Sequence, residues 1–184
     1  MMVVDNVFND DELSFIENQA KNLKFYDNAS HPAHPEAASW SGYRTKNLLD
    51  MGEKHKNLLN KAISTSIERS FRNNIEFMFG WNATMYLHQL TKNEVFKESW
   101  LHRDGTEVYA GVVYLNKNPV ENSGTLLNGE AIENVYNRLV LYNSNQLHAP
   151  LRGFGELNTT SRLTLTIFIK EFSLTIKHKA AVTV

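Results

Sequence analysis

From Phe77 onward the chain reads as short apolar and β-branched runs separated by turn residues, with almost no helical periodicity. Strands are predicted over 77–79, 83–90, 108–115, 125–127, 139–142 and 162–169. Asn116, Asn118-Pro119, Ser123-Gly124, Asn128-Gly129 and Gly153-Phe154-Gly155 fall between them. These residues favour turns because Gly and Asn tolerate positive φ and Pro presets a turn φ. Many short strands at this spacing fold as a sandwich, a jelly roll or a barrel.

The first two-fifths are different. Residues 3–8 read as a short strand, and Asn9 or Asp10 is a good N-cap for the helix that follows. Leu13, Phe15, Ile16 and Ala20 recur at helical spacing, with acids in the first turn where the helix dipole favours them. Residues 28–43 hold Pro32, Pro35 and Gly42 and read as a loop. A second helix is predicted over about 53–72, where Leu58, Leu59, Ala62, Ile63, Ile67 and Phe71 form one stripe. Two N-terminal helices packed on an all-β body make a single α+β, mainly β, domain spanning 1–184. Its N-terminal α/β part covers about 1–76 and its β-helical core about 77–172.

Composition narrows the chemistry. The 184 residues carry a net charge of -1, so no electrostatic footprint for nucleic acid or an anionic membrane is expected. No apolar run of about 18 residues is present to span a bilayer. Acid at Asp5 comes too early for a secretory signal, so a cytoplasmic location is expected. Cysteine is absent, which removes disulfides, thiolate nucleophiles, Cys-ligated zinc, iron–sulfur clusters and thiolate-bound haem. Any metal must sit on His, Asp or Glu, a set suited to ions such as Fe(II), Mn(II) or Zn(II). The oligomeric state is not legible.

Two strands say more. The run Val108 to Leu115 is apolar on both faces, as in a central strand covered on both sides. In 162–169, Leu163, Leu165, Ile167 and Ile169 share one face, and Arg162, Thr164, Thr166 and Phe168 the other. An Arg and two Thr inside a barrel are costly unless the interior holds a polar guest.

His102-Arg103-Asp104 precedes the central strand, and in an extended segment His102 and Asp104 point the same way. His148 follows the strand over 139–142. Two imidazoles and one carboxylate form the facial triad of non-haem Fe(II) oxygenases, with three sites left open. The tripeptide alone is weak: chance predicts about one H-x-[DE] match, and the chain has a second at His34-Pro35-Glu36. His31, His34 and Glu36 are the residues of an alternative metal clip, against the plainer reading of exposed loop histidines. His88 reads as a satisfied barrel histidine.

Taken in order, Leu101-His102-Arg103-Asp104-Gly105, Val112-Val113-Tyr114-Leu115-Asn116, Ser123-Gly124-Thr125-Leu126, Leu147-His148-Ala149-Pro150 and Ser161-Arg162-Leu163-Thr164 resemble the 2-oxoglutarate/Fe(II) oxygenase superfamily. The prolyl 4-hydroxylase-like branch is the nearest, and the resemblance covers about residues 80–170. It implies a double-stranded β-helix (jelly-roll, cupin-like) with the N-terminal helices packed on one sheet. It further implies that His102, Asp104 and His148 bind Fe(II). Arg162 would clamp the distal carboxylate of 2-oxoglutarate, a task that suits a planar guanidinium fork. Tyr114 would donate to the same carboxylate, Thr164 would add a third bond, and Tyr86 would line the pocket. The stretch between His148 and Arg162 is long and departs from the family pattern.

The implied chemistry is oxidative decarboxylation of 2-oxoglutarate with O2 to succinate and CO2, coupled to attack on a substrate C–H bond, with ascorbate as a supporting reductant. The substrate is a small molecule, an amino acid or a peptide or protein side chain; prolyl is suggested by the branch alone. A cupin-like metal-binding barrel without oxygenase activity, and a binding protein on the same fold, are the alternatives. Loops at 28–50 and 91–100 are expected to face the substrate, with Tyr43 and Arg44 in contact with it.

Overall fold

A computed structural model of the chain describes residues 1–32, 40–71 and 75–178. Strand β1 (Met2–Asp5) leads into helix α1 (Asp10–Asn22), and the N-cap is Asn9. Asn9 Oδ1 accepts from the Glu12 N–H at 2.9 Å, and Glu12 Oε2 accepts from the Asn9 N–H at 2.8 Å. This reciprocal capping box satisfies two donors that the first helical turn leaves unpaired. Strand β2 (Tyr43–Arg44) precedes helix α2 (Glu53–Phe71), whose Leu58, Leu59, Ala62, Ile63 and Ile67 are buried along one stripe as expected. Its first turn opens on Gly52 and Glu53.

The remaining strands are β3 (Ile75–Leu90), β4 (Tyr109–Tyr114), β5 (Thr125–Leu127), β6 (Glu130–Ile132), β7 (Arg138–Asn143), β8 (His148–Pro150) and β9 (Arg162–His178). They form a six-stranded antiparallel sheet in the order β1-β7-β4-β9-β3-β2 and a three-stranded one in the order β6-β5-β8. The architecture is an α+β, mainly β, jelly roll with both helices on one sheet.

Two apolar layers hold it together. Met85, Leu87, Val113, Leu139, Leu165, Ile167 and Ile169 face outward from the large sheet and pack with buried residues of α1 and α2. Ala110, Val112, Tyr114, Val140 and Tyr142 face inward and meet Leu127 and Ile132 of the small sheet. Strand β4 therefore contributes to both layers, which is why its sequence is apolar throughout.

Two expected strand boundaries move. The predicted strands at 77–79 and 83–90 are one strand, because β3 pairs with β9 along its whole length. Strand β9 also runs past the predicted end at Ile169. Opposite Asn82 and Ala83 the partners are Glu171 and Ile169, so Lys170 is an extra residue, a β-bulge. The core therefore stretches beyond 172, and the predicted division near 76 falls inside β3. No helix among the described residues is long and apolar enough to cross a membrane.

Candidate metal centre and cleft

His102 lies just before β4 and His148 begins β8. They form an isolated antiparallel bridge: the His102 N–H donates to the His148 carbonyl at 3.1 Å, and the His148 N–H to the His102 carbonyl at 2.9 Å. The Asp104 N–H is tied to the Ser144 carbonyl at 3.0 Å. Main-chain bonds thus fix His148 beside His102 and Asp104, which lie far from it in sequence.

The imidazoles are oriented from behind. His102 Nδ1 lies 2.7 Å from the Trp100 carbonyl, and His148 Nδ1 lies 2.9 Å from the Gln146 carbonyl. A carbonyl only accepts, so each Nδ1 carries a proton and each Nε2 is the nitrogen turned towards Asp104. Backbone acceptors behind a histidine set the tautomer of a metal ligand in the same way. His102 Nε2 sits 3.4 Å from Asp104 Oδ1, and His148 Nε2 sits 3.3 Å from Oδ2. All three ligand atoms lie within 4.8 Å of one another.

That cluster is short of a cation. Asp104 Oδ2 is buried, and its nearest partner is His148 Nε2 at 3.3 Å, a long contact. Without an ion, burial pushes the Asp104 carboxyl up, but the bonds to His102 and His148 outweigh it and hold it far below the usual carboxylate range. The Asp104 carboxylate in turn raises the pKa of His102. A metal among these three groups would meet two imidazole nitrogens and a carboxylate at spacings suited to bonds of about 2.0–2.2 Å. The residues fit a borderline divalent ion.

The other expected site residues separate into two places. Tyr86 lines the cleft that opens over His102 and Asp104, a cavity of about 850 Å³. Arg162, Tyr114 and Thr164 are buried and do not line that cleft. Arg162 donates from Nε to the Ser123 carbonyl at 2.5 Å and from Nη2 to the Gly124 carbonyl at 3.2 Å. Its guanidinium carbon lies 5.6 Å from the Tyr114 ring centre, and burial lowers its pKa. The Tyr114 hydroxyl donates to Thr125 Oγ1 at 2.8 Å. The Thr164 hydroxyl approaches the His88 carbonyl at 3.5 Å. Arg162 and Tyr114 are together, and both already have protein partners.

The loop residues also divide. Arg44 lines the cleft, whereas Tyr43 packs with the helix-side core. Adjacent residues of a strand face opposite ways, so the two could not both have met a substrate. His34 and Glu36 of the alternative clip lie outside the described residues; His31 is buried with its Nε2 2.8 Å from the Thr45 carbonyl. His88 is buried with Nε2 2.6 Å from the Ser41 carbonyl, a satisfied histidine as expected, although it also borders the cleft. Trp100, within the 91–100 loop expected to face the substrate, lines the cleft as well, as do Phe168 and Lys170, which sequence reasoning missed in that role. For Phe168 the signal was available: it shares the inward face of β9 with Arg162.

Neither a protein-family model nor a curated protein matches the sequence. Solved structures do match the fold. A prolyl hydroxylase from Trichoplax adhaerens, in complex with a hypoxia inducible factor oxygen degradation domain peptide fragment, superposes with a TM-score of 0.57 at 14% identity, over 92% of this chain and 82% of that one. HygX from Streptomyces hygroscopicus, with nickel and 2-oxoglutarate bound, gives 0.58 at 13% identity, over 94% and 82%. IDO from Bacillus thuringiensis gives 0.51 at 14% identity, over 97% and 90%. The shared feature is the jelly-roll oxygenase fold. At these identities the likeness establishes architecture, and function has to be argued from the site.

Proposed function

We propose that this protein is an Fe(II)- and 2-oxoglutarate-dependent dioxygenase that hydroxylates a C–H bond of an amino-acid, peptidyl or small-molecule substrate, with succinate and CO2 as by-products. The observation that carries the reading is the cluster of His102, Asp104 and His148 on a jelly-roll frame, with one Nε2 3.4 Å from Oδ1 and the other 3.3 Å from Oδ2 of a single carboxylate. HygX, which shares the fold, binds nickel and 2-oxoglutarate, and the Trichoplax enzyme takes a peptide.

When bound, Fe(II) with 2-oxoglutarate and O2 supplies the oxidising chemistry, and ascorbate would keep the iron ferrous. The protein's own contributions are placement and shielding. His102, Asp104 and His148 would hold the ion, and His102 and Asp104 border the cleft. The Tyr142 ring, 4.9 Å from the His148 ring, covers the buried ligand and keeps water from that flank. Arg162 is the cationic anchor for the distal carboxylate. A guanidinium has five N–H donors, so the bonds to the two carbonyls and the contact with Tyr114 leave donors over for a guest. Tyr114 and Thr164 flank that anchor, and Tyr86 lines the approach.

The test is anaerobic. Fe(II) plus 2-oxoglutarate should give the visible charge-transfer band of a chelated 2-oxo acid, and His148→Ala should abolish it. One observation favours a second reading, a cupin-like metal-binding barrel without oxygenase activity: Arg162 and Tyr114 already have protein partners. That reading expects metal uptake with no band and no succinate release.

A further inference from the structure

The cleft contains a cation that the metal centre does not use. Arg44 leaves β2 and extends over Phe168 and Tyr86, its guanidinium carbon 5.3 and 5.8 Å from their ring centres, with the Trp40 ring at 4.8 Å. Aromatic faces stack on a guanidinium and hold it flat, leaving its N–H edge for in-plane acceptors. Among the described residues no such acceptor meets it. Among the described residues the Arg44 side chain has no hydrogen bond and no ion pair, and its buried Nε is unpartnered. Burial lowers its pKa to about 10, so it stays charged at neutral pH.

A half-buried guanidinium whose Nε is enclosed and which pairs with no acid among the described residues is costly, and a site that retains one is built for an anion. The surroundings agree. Arg103 and Lys170 share the cleft, whose acids are Asp104 and Glu107, and Asp104 belongs to the metal centre. Arg44 is also separate from the proposed cosubstrate anchor. It stacks on Phe168, whereas Arg162 lies six residues away on the same strand, about 20 Å of extended chain.

We infer that Arg44 binds a carboxylate of the primary substrate, so that this oxygenase acts on an organic anion with an apolar body. A single guanidinium edge matches a monoanionic carboxylate, and the aromatic walls suit the apolar remainder. The inference rests on the oxygenase reading for what is done to the guest, but not for its binding.

The probe is 3-phenylpropanoate against its carboxamide, followed by ligand-observed NMR on the full chain. It is measured metal-free, and again with Zn(II) and saturating 2-oxoglutarate. The acid should bind about tenfold or more tighter than the amide in both states, a ratio set by a charge-assisted bond. Arg44→Gln should erase the preference, Arg44→Lys should keep part of it, and Arg162→Gln should keep it in full. Equal binding of acid and amide, no binding of the acid by about 10 mM, or a preference that survives Arg44→Gln overturns the assignment. Loss of the preference when 2-oxoglutarate is added also overturns it, because Arg44 would then serve the cosubstrate. Failure of the oxygenase reading shows separately, as a missing charge-transfer band in a protein that still prefers the acid.

Discussion

His102 and His148 exchange a pair of main-chain hydrogen bonds, at 3.1 and 2.9 Å, although 45 residues separate them. The bridge fixes two nitrogens against one carboxylate before any ion arrives. Preset ligands lower the ordering cost of binding. We therefore expect about one Fe(II) per chain by equilibrium dialysis, and little change in circular dichroism on uptake. His102→Ala or His148→Ala should leave almost none bound. Asp104→Asn keeps the shape but loses the charge, and should weaken binding by about tenfold or more. Full iron content in either alanine variant would remove that residue from the ligand set.

Arg162 connects the interior of β9 to the turn before β5 through Ser123 and Gly124. If its remaining donors hold 2-oxoglutarate, Arg162→Ala should raise the KM for that cosubstrate by about tenfold or more while iron binding persists. Lysine should restore part of the affinity, being a point charge without the fork. Thermal shift offers an independent readout, since a ligand stabilises only the state that binds it. The upward shift in Tm on adding 2-oxoglutarate to the Fe(II) protein should vanish in the alanine variant. An unchanged KM would place the cosubstrate elsewhere.

The parts of this architecture that were legible are those in which side chains repeat. The odd-numbered apolar residues of 163–169 and the helical stripe of α2 each face one buried layer, so pattern and burial agree. The far half of β9 carried a signal too. Its apolar residues switch from odd (Leu163 to Ile169) to even (Phe172, Leu174, Ile176), the parity change that an extra residue at Lys170 imposes. The two-residue β2 and three-residue β6 and β8 carry no period and exist only through their partners. The triad was readable as residue types, but its assembly was not. It depends on the His102–His148 bridge and on backbone acceptors at Trp100 and Gln146, which leave no mark on composition. Arg44 was visible as a candidate, and the alternation rule would have separated it from Tyr43.

Gly124 tests how tightly the small sheet is closed between β5 and β6. A Cβ there would come 1.7 Å from the Ile132 carbonyl oxygen and 3.0 Å from the Asn134 nitrogen, both main-chain atoms that cannot rotate away. Gly124→Ala must push β5 and β6 apart and shift a carbonyl that accepts from both Arg162 and Leu151. Overpacking of this kind costs roughly 1–3 kcal/mol, and the expected result is a lower midpoint in urea with weakened 2-oxoglutarate binding. A variant as stable as the parent would show that the turn has room the structure does not display.

His88 supplies a pH dependence whose sign follows from its surroundings. Burial, and then the nearby Arg44 charge, hold its pKa well below the ordinary histidine value, although the Ser41 carbonyl bond works the other way. Above about pH 6.5 the residue is neutral in both folded and unfolded chains and contributes nothing. Below that, the unfolded chain takes up a proton that the folded one refuses, so stability falls as the pH drops through the window down to the depressed folded value. Between pH 7.5 and 5.5 this single group should remove about 1 kcal/mol. His88→Gln keeps a donor for Ser41 and cannot titrate. His55, also lowered by burial, and the metal-centre groups are common to both proteins and cancel in the comparison. Urea unfolding at the two pH values should therefore show a steeper acid loss in the parent than in the variant. Equal slopes would mean that His88 accepts its proton in the folded state.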